Sequence, residues 1–283
     1  MSRLDLHLHT THSDGSLAPV EVVNLAHKAG VTALAITDHD ITTAIPEATE
    51  AGRTLGIEVI PGIEISSLLG DSELHVLGYF LNWRDPLLHE RLVTLRESRH
   101  RRNPMIVERL QALGIDITYD EVRAVAGSDS VGRPHIARVL MDKGVVTSAK
   151  EAFDRFLANG KPAYVPRDLP APSEAIRWIK DAQGLAVLAH PTWVKTTEDS
   201  TLASLAKQLK ADGLDGIEVH YSTHTPRQTR EFLSLAKQAD LLVTGGSDFH
   251  GVTKPDIEVG VGKGELYVPD HLLHKLKNAA ARL

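Results

Sequence analysis

The sequence predicts an α/β fold in which a strand-and-helix sheet closes into a barrel and carries a mainly helical insertion. Three observations predict it. Short apolar runs alternate with amphipathic helical stretches at both ends of the chain. Histidines and carboxylates recur at or just after the C-terminal ends of those runs, and a closed barrel gathers such ends at one mouth where an open sheet spreads them. Between about residues 85 and 165 the alternation stops and helical spacing takes over.

The elements follow in order. Leu4 to His9 reads as a strand, Thr10 to Leu17 as a polar loop, and a helix starts near Pro19, a residue suited to a first helical turn, and ends near Gly30. A buried-type strand, Val31 to Thr37, runs into Asp38, His39 and Asp40. A helix from Ala44 to Leu55 leads to the strand Glu58 to Glu64, and Glu73 to Phe80 alternates like a further strand. After the insertion come a helix from Pro172 to Gln183, a strand from Leu185 to Ala189, a helix from Thr201 to Ala211 and a strand from Gly216 to His220. A helix from Pro226 to Ala239, a strand from Leu241 to Gly245 and a C-terminal helix close the series. Alternation of this kind implies parallel strands with helices outside. The expected division is a barrel from 1–84 and 166–283, with 85–165 as the insertion.

Composition narrows the chemistry. A chain of 283 residues with 42% hydrophobic and 24% charged residues can bury a full core. It holds no cysteine, so a metal would be held by nitrogen and oxygen, and disulfides are excluded. The formal net charge of -6 argues against coating nucleic acid by bulk electrostatics. No apolar run is long enough to span a bilayer, and Asp5, His7 and His9 stand where a signal peptide needs an apolar core, so a cytoplasmic protein is expected.

His7 and His9 lie on one face of a strand because side chains alternate with a period of two, and one metal ion can take both. Asp14, His39, Glu64, His75, His190, Asp248 and His250 add more donors at the same predicted mouth, more than one ion can use. A cluster of two or three divalent ions is implied. There is no nucleophile elbow, catalytic cysteine or Walker-type phosphate loop.

The segments Asp5-Leu-His7-Leu-His9-Thr-Thr-His-Ser13-Asp14-Gly15, Thr37-Asp-His39-Asp, Gly62-Ile-Glu64-Ile-Ser, Leu188-Ala-His190-Pro and Gly246-Ser-Asp248-Phe-His250 resemble, in order and spacing, the motifs of the PHP (polymerase and histidinol phosphatase) family. The resemblance implies a distorted (β/α)7 TIM-like barrel with up to three ions, commonly manganese, with zinc, iron or magnesium in relatives. It implies one ion on His7, His9 and Asp248, a second on His75 and His190 with Glu64 bridging, and a third on Asp14, His39 and His250. Within the family the chain is similar to the nucleoside 3′,5′-bisphosphate phosphatases and related RNA 5′-end exoribonucleases, which share the helical insertion and segments like Gly132-Arg-Pro-His135 and Gly160-Lys-Pro-Ala-Tyr164.

That likeness implies a metal-dependent phosphatase acting on a small nucleotide such as adenosine 3′,5′-bisphosphate, with a metal-bound hydroxide as nucleophile and no obligate protein partner. A substrate with two phosphates needs cations away from the metals, and Arg99, Arg102, Arg133, His135 and Lys161 are the candidates. The plain alternative is that Arg96 to Arg102 form a solvated helix face. His12 and His224 lie in loops on the metal side as candidates for protonating a leaving group, while His27, His89, His271 and His274 read as surface residues. Competing functions are a 5′-3′ exoribonuclease on short RNA, a histidinol phosphatase, a non-catalytic PHP module and an amidohydrolase. The last commonly bridges its metals with a carboxylated lysine where this chain has Glu64.

Overall fold

The computed structural model describes residues 3–70, 72–127, 130–195 and 201–283. Seven strands pair in chain order: β1 (Arg3–Leu8), β2 (Val31–Ile36), β3 (Glu58–Leu69), β4 (Ser72–Tyr79), β5 (Leu185–Leu188), β6 (Gly216–Tyr221) and β7 (Leu242–Gly246). β7 returns beside β1 through a bridge between Leu8 and Phe249, with the Asp248 N–H donating to the His7 carbonyl at 2.8 Å. The barrel is therefore nearly closed. Gly246 permits this approach, since a Cβ there would lie 2.4 Å from the His7 backbone nitrogen.

The all-parallel expectation fails at one strand. β3 and β4 form an antiparallel hairpin, and β4 also runs antiparallel to β5. With no helix between them, two consecutive strands can only fold back on each other. The reversal matters for function, because it brings His75, near the start of β4, to the end of the barrel where the other strands finish.

Helices α1 (Pro19–Lys28), α2 (Ile45–Leu55), α7 (Pro172–Asp181), α8 (Leu202–Ala211) and α9 (Pro226–Gln238) cover the outside. Leu77, Tyr79, Leu185 and Val187 fill the interior, and Leu272, Leu273 and Leu276 of α10 (His271–Ala280) pack against the same cluster. The insertion holds α3 (Pro86–Ala112), α4 (Tyr119–Ala126), α5 (Arg133–Asp142) and α6 (Ala149–Ala152), which continues as a π-helical turn from Phe153 to Leu157. It has its own core, including Ile106, Leu110, Ile136 and Leu140. α3 belongs to both bodies: Leu88, Leu92 and Leu95 pack into the barrel's outer core, whereas Ile106, Val107 and Leu110 pack into the insertion.

Two register shifts set which side chains enter the mouth. β1 shifts against β2 between Asp5 and Leu8. Leu4 and Leu6 join the interior cluster, whereas Leu8 joins the outer layer and His7 and His9 face the site. β6 shifts between Glu218 and His220. The extra residue sends Glu218 and Tyr221 to the site and leaves His220 near His224 and His271. His220, expected at the mouth with the other strand-end residues, is not part of it.

Candidate metal centre

Glu64 is the hub of the mouth. One carboxylate oxygen lies 2.9 Å from His75 Nδ1 and 2.9 Å from His190 Nε2, and the other lies 3.2 Å from each of His7 Nε2, His9 Nε2 and His39 Nδ1. Asp248 Oδ1 stands 3.5 Å from His7 Nε2 and 3.4 Å from His9 Nε2, and Asp14 Oδ1 stands 3.2 Å from His250 Nε2. All the ligands expected from the sequence thus meet at one place. The donors group as His7, His9 and Asp248; as His9, Asp14, His39 and His250; and as His39, Glu64 and His75. His9 and His39 are each shared between two groups, where the expected partition gave each to one ion, and His190 reaches the cluster through Glu64.

This donor set fits divalent cations. His9 Nε2 and His39 Nδ1 are buried without a hydrogen-bond partner, which in a site of nitrogen and oxygen donors is the environment an ion completes. Electrostatics point the same way. Burial pushes Glu64 upward, but His39, His75 and His7 outweigh it and hold the carboxyl well below its usual range. Burial likewise opposes charge on the imidazoles, yet the neighbouring Asp248 and Glu64 carboxylates raise His9 to about 9, and Glu64 and Glu73 raise His75 to about 10. For His39 burial prevails, and its pKa drops to about 3.

A supporting layer was not singled out from the sequence. Buried Glu218 accepts from His7 Nδ1 at 2.9 Å and from the His190 backbone N–H at 2.8 Å. It thereby fixes the His7 tautomer that leaves Nε2 free for a ligand. Tyr221 Oη and Lys254 Nζ bind Asp248 Oδ2 at 2.7 and 2.5 Å, turning Oδ1 to the histidines. Asp38 accepts from the Thr10 N–H, the Thr10 hydroxyl and the Ser13 hydroxyl, pinning the loop that carries Asp14. His190 and Asp248, just past β5 and β7, hold positive φ angles of 24° and 57°, a backbone strain that these contacts sustain.

Beside the donors opens a cavity of about 490 Å³, lined by His39, His75, His190 and His250 on one side and by Arg99, Arg102, Arg133 and Arg167 on another. Arg99 and Arg167 both bind Asp40, at 2.7 and 2.6 Å, and Arg133 binds Glu73. Arg99 and Arg102 are buried, so they are not a solvated helix face, although Arg101 of the same run is exposed. Arg167 was not anticipated.

The remaining candidates do not line this cavity. Lys161 is exposed and does not line the cavity. His135 is buried at the start of α5, where its Nδ1 accepts from the Gly132 N–H at 2.9 Å, so it caps a helix. His12 pairs with Thr43 Oγ1 at 2.6 Å, and His224 donates to the Val219 carbonyl at 2.8 Å; neither lines the cavity.

Comparison with known proteins agrees with this architecture. The PHP domain model matches residues 5–158. The 3′,5′-nucleoside bisphosphate phosphatase of Chromobacterium violaceum is 33% identical over 261 residues, covering 92% of this chain and 91% of that protein. The 5′-3′ exoribonuclease Rnm of Escherichia coli is 37% identical over 258 residues, covering 90% and 87%. A solved structure from Bifidobacterium adolescentis, assigned to the metal-dependent phosphoesterases, superposes with a TM-score of 0.86 at 33% identity and covers 97% of this chain and 95% of that one. Among the described residues no helix is long and apolar enough to cross a membrane. By the match of its family model and by these relatives, the chain belongs to the PHP family of metal-dependent phosphoesterases.

Proposed function

We propose that the chain removes the 3′-phosphate of nucleoside 3′,5′-bisphosphates, releasing a nucleoside 5′-monophosphate and inorganic phosphate. The observation that carries this reading is the charge of the cavity wall. Of four guanidinium groups at the wall, Arg99 and Arg167 pair with Asp40 and Arg133 pairs with Glu73, while Arg102 pairs with neither. Four positive charges less two negative ones leave an excess of two at the cavity wall. Arg102 has no ion-pair partner among the described residues although it is only 5% exposed, and its charged form is disfavoured by burial and by Arg133, Arg167 and Arg99. A buried cation in that state calls for an anion, and a second phosphate supplies one.

His7, His9 and Asp248, with Glu64, His75 and His190, and with Asp14, His39 and His250, would hold the ions, and a set of mixed imidazole and carboxylate donors suits manganese, iron and zinc. Divalent ions bound there supply a water of lowered pKa and neutralise phosphoryl oxygens during in-line displacement. The chain's own part is placement. Glu218, Tyr221 and Lys254 fix the ligand side chains, while the arginines grip the phosphate that is not cleaved and so aim the other at the donors.

The test is product analysis with adenosine 3′,5′-bisphosphate. Adenosine 5′-monophosphate is the expected product, and adenosine 3′-monophosphate, or a preference for histidinol phosphate, would reject the reading. A second reading is favoured by the Escherichia coli relative, which is named as a 5′-3′ exoribonuclease. The same arginines would then grip the 5′ phosphate of a short RNA, and a higher kcat/KM on 5′-phosphorylated RNA than on the mononucleotide would choose it.

A further inference from the structure

Trp193 lines the cavity with 51% of its surface exposed. It stands on a 3-10 turn, Pro191–Trp193, directly after His190. The next residue, Val194, packs against the barrel's outer core, but Trp193 joins none of the apolar clusters. Packing therefore does not explain it. Its ring lies 4.0 Å from the buried His190 ring at an interplanar angle of 31°, and its edge meets Tyr221 at 88°. Those contacts lie toward the metal donors, while about half of the Trp193 surface stays exposed where the side chain lines the cavity. Two other aromatic side chains line the wall: Phe153 is partly buried against the insertion's core, and Tyr164 is half-buried and less open than Trp193.

We infer that Trp193 is the base-reading residue of this site, a platform on which the nucleobase stacks while the arginines hold one phosphate and the metal donors face the other. The inference rests on the nucleotide reading above. Every base offers a flat π-face, so a stacking platform selects for nucleotides over other phosphate esters with little preference among bases. The three recognition elements then occupy one cavity: a cationic wall, a floor of imidazole and carboxylate, and an aromatic shelf beside His190. Lys254 Nζ, 5.6 Å from the Trp193 ring centre, adds positive charge next to the shelf, and the segment that follows carries Lys195 into the same lining.

The experiment compares adenosine 3′,5′-bisphosphate with a base-free analogue, 1-O-methylribofuranoside 3,5-bisphosphate, on the metal-loaded full chain. Trp193→Ala should lower the nucleotide-to-analogue ratio of kcat/KM by about ten- to a hundredfold, mainly through KM, and Trp193→Phe should restore most of it. Binding of the nucleotide should also quench tryptophan fluorescence in the wild type, and Trp193→Phe, which keeps Trp83 and Trp178, should abolish the quench. This second measurement decides the matter should the alanine variant fold poorly. A ratio unchanged in Trp193→Ala, or lost instead in Phe153→Ala or Tyr164→Ala, overturns the inference and leaves the phosphatase reading intact. If the wild type hydrolyses neither compound, the phosphatase reading fails, and the fluorescence response to the bound nucleotide still tests the shelf.

Discussion

The two sides of the cavity are built from different parts of the chain and on opposite electrostatic terms. On the floor, imidazoles alternate with Glu64, Asp14 and Asp248, each carboxylate shared by several rings, and the side chains project from strand ends and the loops after them. On the wall, guanidinium groups from α3, α5 and the returning segment outnumber the acids that anchor them. The floor holds electron pairs awaiting cations, and the wall holds unbalanced positive charge. Divalent cations would complete the floor and an anionic group the wall, a pairing that neither side reveals alone.

The strongest way to break the comparison is Glu64→Gln. Replacing the carboxylate that meets five imidazoles should lower kcat/KM on the order of a thousandfold or more and reduce the bound metal read by elemental analysis. Retained activity would detach the chemistry from the floor. Next comes Asp40→Asn, which undercuts the wall. Asp40 is fully buried, binds Arg99, Arg167, the Ser66 N–H and the Ser66 hydroxyl, and sits at φ 57°, a conformation asparagine also accepts. The loss should be about 3–5 kcal/mol in chemical denaturation, as for a broken buried ion pair. Burial pushes Asp40 up, but Arg167 and Arg99 hold it below the usual carboxylate range. Its stabilisation is therefore present above the unfolded value of about 4 and is lost as pH falls toward the lower folded value, and the variant should lack that acid-limb dependence.

Arg133→Met should raise KM for the bisphosphate by roughly ten- to a hundredfold and affect a 3′-monophosphate much less, since that substrate has nothing for the wall to hold. Equal effects on both would show that the wall does not read the second phosphate. Glu218→Gln should weaken metal binding about ten- to a hundredfold in calorimetric titration, while far-ultraviolet circular dichroism stays native. The gentlest probe is pH. With His9 raised to about 9 and His75 to about 10, an ion must displace protons from both rings below those values. Apparent metal affinity should climb as pH rises from 6 to 9, with proton release visible as a dependence of the binding heat on buffer ionisation enthalpy; pH-independent affinity would contradict the geometry of the floor.

The floor was far more legible in the sequence than the wall, and the reason is physical. Metal donors must meet at short distances, so they occur in tight local patterns such as His7 with His9 or Asp248 with His250, placed where strands end. The strand-helix alternation was equally plain, because burial on both faces leaves continuous apolar runs such as Val31 to Ile36. The reversal of β4 had a cue in the lack of any helical stretch between Glu64 and Glu73, although alternation suggested parallel strands. Arg167 gave no such sign, since its partner Asp40 is 127 residues away and only the folded insertion brings them together. Lys161 and His135 stood beside Arg133 as candidates in the sequence, but Lys161 lies in solvent and His135 caps a helix. Glu218 was visible only as one acid inside an apolar strand, and the shift in β6 redirected the neighbouring His220.

The shared membership of α3 in both cores has a mechanical result. Arg99 and Arg102 lie between the helix turns that anchor the barrel and those that anchor the insertion, so neither body can slide without disturbing packed side chains on the other. The helix acts as a caliper, setting the span between the arginine wall and the carboxylate and imidazole donors beside it.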